Sequence, residues 1–132
     1  MPDGRAKRSR LSMLPGRFAI ARLDPGAEVP PWAWSGAFAS VSRTATELSI
    51  VCQEANIPEG VEANRGWRAL VVAGPMELSI VGVLASIASP LAGAGIALFA
   101  VSTFETDMIL GKEQEAAKAV EALRTAGHDV ES

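Results

Sequence analysis

Hydrophobic positions along the chain switch between a spacing of two and a spacing near four, and the switches mark out its elements. In "RFAIARL" (17–23), Phe18, Ile20 and Leu23 stand among alternating neighbours and predict a strand. The "DPGAEVPPWAW" that follows holds too many prolines for a long helix and leaves room for one or two helical turns. "AFASVS" (37–42) and "ELSIVCQ" (47–53) read as two strands joined by the polar "RTAT", a hairpin. A connector (54–66) with space for a short helical turn leads to another strand, "WRALVVAG" (67–74).

From Leu78 to Phe104 no residue is charged, a length that alone would qualify as a membrane span. Pro90, Gly93 and Gly95 in "SPLAGAG" argue against one, because a spanning helix would lose hydrogen bonds there and a soluble helix would end. Before them, Leu78, Val81, Leu84, Ala85, Ala88 and Leu91 fall at helical spacing; after them, "IALFAV" reads as a buried strand. "DMILG" (107–111) is the next strand. A helix over 113–126 follows, with an apolar stripe of Ala116, Ala119, Val120 and Leu123 and a stop at Gly127. "HDV" closes as a short strand. The second half therefore reads β-α-β-β-α-β, a ferredoxin-like arrangement.

The chain also repeats itself. "VSRTATELSI" (41–50) lies over "VSTFETDMIL" (101–110), with Val41 on Val101, Ser42 on Ser102, Glu47 on Asp107 and Ile50 on Leu110. The expectation is an α+β fold of two tandem ferredoxin-like modules: residues 12–65, degenerate, and residues 66–132, complete. A half of about 60 residues buries too little surface alone, so the two are expected to form one compact unit.

Composition narrows the function. With 132 residues and 48% hydrophobic content a substantial core is affordable, and a net charge of -3 gives no field for nucleic acid or acidic lipid. Residues 1–11 form a basic tail, read as flexible, with no apolar stretch of the kind a secretory signal needs, so a cytoplasmic location is expected. The lone Cys52 fits a reducing compartment and a buried thiol in a strand. His128, the one histidine, is expected beside the helix stop near the exposed chain end; no nucleophile elbow, metal-ligand spacing or P-loop exists. Neither catalysis nor a metal or cofactor is expected. Trp32, Trp34 and Trp67 are read as packing residues.

Two places suit a small zwitterion. In "VAGPMELSIVGVL", Gly74, Pro75 and Glu77 make an N-cap, N1 and N3 whose free N–H groups would receive a carboxylate, and Gly82 within that helix would let a ligand approach the backbone. Asp107, at the mouth of the second hairpin, could pair with an ammonium group. Thr103 and Thr106 read as ordinary turn residues.

The stretch from Gly66 to Lys112, with "FASVSRTATELSIVCQE" upstream, resembles the small bacterial proteins built from tandem ACT domains, a group related to the CASTOR-type arginine sensors. The resemblance implies a ferredoxin-like ACT fold, a homodimer, and an amino acid or similar effector bound at a junction between modules. Carried over by position, it nominates Gly74, Glu77, Ser79, Ile80, Val81 and Gly82 from the helix start and Thr103, Phe104 and Asp107 from the hairpin, with Ser42 and Arg43 as weaker candidates. Met108 stands where relatives carry an aromatic, and Gly111 where they carry a β-branched residue. The alternative expectation is an ACT-fold interaction or dimerisation module without a small ligand.

Overall fold

The computed structural model describes residues 8–73 and 82–132. Among them lie eight strands and two α-helices, a mixed α+β fold: β1 (Arg10–Met13), β2 (Phe18–Leu23), β3 (Ser40–Arg43), β4 (Leu48–Gln53), β5 (Ala63–Val72), α1 (Val83–Gly93), β6 (Leu98–Ser102), β7 (Asp107–Lys112), α2 (Ala116–Thr125) and β8 (Asp129–Glu131). No helix among the described residues is long and apolar enough to cross a membrane. The chain divides into two compact units: Pro15–Trp67, and Met1–Leu14 with Arg68–Ser132. Each unit has a buried cluster of its own.

In the unit Pro15–Trp67 the strand order is β3-β4-β2-β5, with every neighbouring pair antiparallel. Alternation puts Ala19 and Ala21 of β2 and Leu48, Ile50 and Cys52 of β4 on one buried face, covered by Ala33 and Ile57. Those two covering residues come from 3-10 turns or their edges, Pro31–Trp34 and Glu54–Asn56, where the prolines leave no room for a full helix. Trp32 packs on this cluster and Trp67 is buried, whereas Trp34 is 60% exposed. A bulge interrupts β5: Phe18 faces Trp67 but Ile20 faces Asn64, so two steps on β2 oppose three on β5. Gly66, at φ +87, takes up the extra residue in a conformation that other side chains resist.

In the other unit β1 lies between β8 and β5, parallel to the first and antiparallel to the second, and β7 joins β5 to β6. Val83, Ile87 and Leu91 of α1 recur every four residues and pack with Ala119, Val120 and Leu123 of α2 over Leu11, Leu70, Val72, Ile109 and Val130 of the strands. Residues 10 and 11, placed by the sequence reading in a flexible tail, begin β1, and Leu11 is fully buried against Val72 and Val130.

The start of α1 differs from expectation. Gly82 is its N-cap, at φ +88, and not a residue of its interior; its carbonyl accepts the Ser86 N–H at 2.8 Å. The helix also continues through Pro90 to Gly93. Pro90 has no N–H to give the Ser86 carbonyl, and the ring of His128 supplies a donor: Nε2 stands 2.8 Å from that oxygen. The Ser9 N–H donates to Nδ1 at 2.9 Å, which fixes the proton on Nε2. His128 is therefore buried, at 6% exposure, and not at an exposed chain end, because β1 pairs with β8 beside it.

Candidate functional site

The hairpin of β6 and β7 is the part of the nominated site that the structure describes. Its last cross-strand pair is Ser102 and Asp107, and the Ser102 hydroxyl donates to Asp107 Oδ1 at 2.6 Å. The turn closes on Thr103: its N–H donates to the Thr106 carbonyl at 2.7 Å, and its hydroxyl both accepts the Thr106 N–H and donates to the same carbonyl, each at 3.1 Å. Thr106 in turn donates its hydroxyl to the Val72 carbonyl, tying the turn to the end of β5. Phe104, at the tip, is 86% exposed, whereas Asp107 is only 5% exposed.

A carboxylate buried at the start of a strand calls for a reason, and the first hairpin supplies a comparison. There Thr44 closes the turn as Thr103 does: its N–H reaches the Glu47 carbonyl at 2.9 Å, and its hydroxyl accepts the N–H groups of Thr46 and Glu47, both at 3.2 Å. Equating Thr44 with Thr103 puts Leu48 on Asp107 and Ile50 on Ile109, and both isoleucines are core residues. The repeat thus holds at an offset of 59 residues (44 to 103), one less than the sequence alignment (41 to 101). One residue of slip exchanges the two faces of a strand, so Glu47 is not the counterpart of Asp107. Glu47 is half-exposed, 4.0 Å from Arg22. Asp107 occupies the place of Leu48, a fully buried side chain.

The remaining nominated residues fall apart from this hairpin or outside the description. Gly74, Glu77, Ser79, Ile80 and Val81, with the expected helix start at Gly74 and Pro75, lie outside the described residues. Gly82 is described, as the N-cap of α1. Arg43 is turned to the loop before it, donating to the carbonyls of Pro25 and Ala27. Ser42 pairs across to Ser49 on exposed β3. Sequence reasoning passed over Ser102 and Thr106 as ligand-site residues; the hydroxyl-carboxylate pair across a hairpin end was the available signal. Among the described residues no group of three or more His, Cys, Asp or Glu could hold a metal ion. Cys52 is buried, and its desolvation pushes the thiol pKa up.

The ACT domain model matches residues 62–125, and a second family model, described as an N-terminal domain, matches residues 16–60. No curated protein matches the sequence. Among solved structures, an Agrobacterium tumefaciens protein is 39% identical, covering 93% of this chain and 92% of its own, with a TM-score of 0.88. The aspartate kinase of Clostridium acetobutylicum aligns with 88% of this chain and 34% of its own at 12% identity and a TM-score of 0.65. The regulatory subunit of aspartate kinase from Thermus thermophilus, in its ligand-free form, aligns with 85% of this chain and 93% of its own at 12% identity and a TM-score of 0.58. At such identity these two proteins share the fold alone with this chain. The identity over nearly the whole of both chains and the match over residues 62–125 together establish that the chain belongs to the same family as the Agrobacterium tumefaciens protein and carries an ACT domain.

Proposed function

We propose that the protein is a non-catalytic regulatory module whose C-terminal ACT domain binds an amino acid. The observation that carries this reading is Asp107, a carboxylate buried where the other hairpin has a core leucine. Desolvating a carboxylate costs stability that a leucine would contribute; among the described residues its side-chain partner is the Ser102 hydroxyl, which a bound cation would complement. The α-ammonium group of an amino acid is that cation. Its carboxylate is assigned to the chain between β5 and α1, with Gly74, Glu77, Ser79, Ile80, Val81 and Gly82 as the nominated contacts. Thr103 keeps the turn closed, and Phe104 stands exposed beside the site.

The wider reading is that each unit is a ferredoxin-like module, the first degenerate. The order β3-β4-β2-β5, with 3-10 turns where helices would stand, supports it. The likeness of fold to an aspartate kinase regulatory subunit supports a regulatory role. A homodimer in the cytoplasm, without cofactor and acting on a protein partner, completes the proposal. Exposed Phe104 favours a second reading, an interaction module without a small ligand.

A thermal-shift screen against the standard amino acids at millimolar concentration, arginine included, tests the first reading. A ligand at about a hundred times its Kd adds roughly 2.7 kcal/mol. A shift of several degrees that is lost in Asp107→Ala supports it; no shift with any amino acid rejects it in favour of the interaction module.

A further inference from the structure

We propose that the C-terminal unit binds a monatomic anion, a halide such as chloride, in the cavity between its helices and its strands. The cavity measures about 20 Å³, which is room for a single small occupant. Arg68, Leu91, Leu98, Gly111 and Ala119 are among its walls, and every lining residue belongs to the unit of Met1–Leu14 and Arg68–Ser132. This inference stands apart from the Asp107 site: Leu98 and Gly111 pair at one end of the hairpin of β6 and β7, Ser102 and Asp107 at the other.

Two strand positions shape the cavity. Alternation along β5 puts Arg68 on the face of Leu70 and Val72, so an arginine extends a row of core residues. Gly111 likewise follows Ile109 on the helix-facing side of β7. Its chain neighbours aside, a Cβ at Gly111 would meet only the Ala97 carbonyl oxygen within 4 Å, at 3.7 Å, so the missing side chain leaves open space. Arg68 is anchored in the wall, its Nη2 donating to the Leu14 carbonyl at 3.2 Å. Its Nε is buried and, among the described residues, has no hydrogen-bond partner.

The donor and the walls select the occupant. A buried N–H on a charged group calls for an acceptor. A water would accept from Nε but brings two protons of its own, and a buried water makes about three hydrogen bonds. Arg68 has the one polar side chain among the described lining residues, so the walls offer those protons no side-chain acceptor. An anion brings no protons, and its charge offsets a guanidinium whose Leu14 partner is neutral. No carboxylate stands among the described lining residues to repel it. Aliphatic walls favour a large halide over a small one, because the smaller ion loses more hydration on entry.

The test is a titration of the full-length protein with the sodium salts of chloride, bromide, fluoride and acetate, against sodium sulfate at equal ionic strength, followed by the Arg68 Nε–H resonance and the Gly111 amide. Saturable shifts with chloride and bromide are expected, tighter for bromide, and none with fluoride or sulfate. Arg68→Gln should weaken binding at least about tenfold, read on the amide of residue 111, whereas Lys118→Gln, the same loss of charge at an exposed place on α2, leaves it unchanged. Gly111→Ala narrows the cavity while keeping Arg68, and should also weaken binding, so the site is tested even where Arg68→Gln fails to fold. Shifts that never saturate, that sulfate reproduces, or that persist undiminished in either variant overturn the site. Acetate binding as tightly as bromide overturns the ligand class.

Discussion

Replacing His128 by alanine removes both hydrogen bonds that lock α1 to the neighbouring backbone, the donor to the Ser86 carbonyl at 2.8 Å and the acceptor for the Ser9 N–H at 2.9 Å. Each partner sits in a partly buried place, so the loss is about 1 kcal/mol apiece, near the low end for a desolvated group. Deleting a buried ring adds about 1 kcal/mol of lost packing. The expected cost is about 3 kcal/mol, or roughly 10 °C in Tm for a chain of this size. Both α-helices belong to the unit that holds His128 and all three tryptophans to the other, so circular dichroism at 222 nm follows the affected unit during guanidinium denaturation.

The decisive comparison is a cycle with Pro90→Ala, which gives position 90 an N–H able to serve the Ser86 carbonyl from within the helix. That substitution should stabilise the wild-type background by about 1 kcal/mol through helix propensity. In the His128→Ala background the gain should be larger by about 1 kcal/mol, since the new donor replaces the lost one. Effects that add within about 0.3 kcal/mol would refute the claim that His128 stands in for the missing proline N–H.

Three further outcomes are expected. Asp107→Leu restores the residue type of the first hairpin, and should raise stability in the absence of ligand by about 1 kcal/mol while abolishing any amino-acid-induced thermal shift. Gly111→Ala places its methyl group no closer than 3.7 Å to the Ala97 carbonyl, in the wall of a cavity of about 20 Å³, and should raise Tm by about 2–4 °C. The Cys52 thiol, raised by burial above its ordinary 9.0, stays protonated in the folded protein where the unfolded chain ionises. Its contribution to stability is full below pH 9.0 and is lost as pH rises toward the folded value; a Cys52→Ala variant should show a flatter decline in denaturation midpoint above pH 9.

Both hairpins and α2 could be read from the sequence because their patterns are local: alternation around short polar turns, and an apolar stripe ended by Gly127. β1 could not, since its four residues have no strand pattern of their own and owe their conformation to β5 and β8 on either side. His128 was misplaced for a similar reason: adjacency to a helix end says nothing about a strand arriving from the other end of the chain. Pro90 held the available clue. A proline inside a helix leaves a carbonyl four residues earlier in need of a donor, and the ring lies within reach of that oxygen.

The register of the internal repeat bears most directly on function. Matching letters favours an offset of 60, because Val-Ser recurs and Glu47 falls on Asp107, two carboxylates in what look like equivalent places. Hydrogen bonding favours 59, because a turn is defined by which residue closes it, and Thr44 and Thr103 do so with the same backbone and side-chain bonds. Under the first alignment Asp107 would be one of a pair of surface acids, with nothing to explain. Under the second it stands in a core position, opposite a serine hydroxyl, at the end of β5 where Thr106 anchors the turn to Val72. A shift of one residue thus moves Asp107 from a surface position to a core position, and that placement is the physical basis for proposing that a cationic group completes the hairpin.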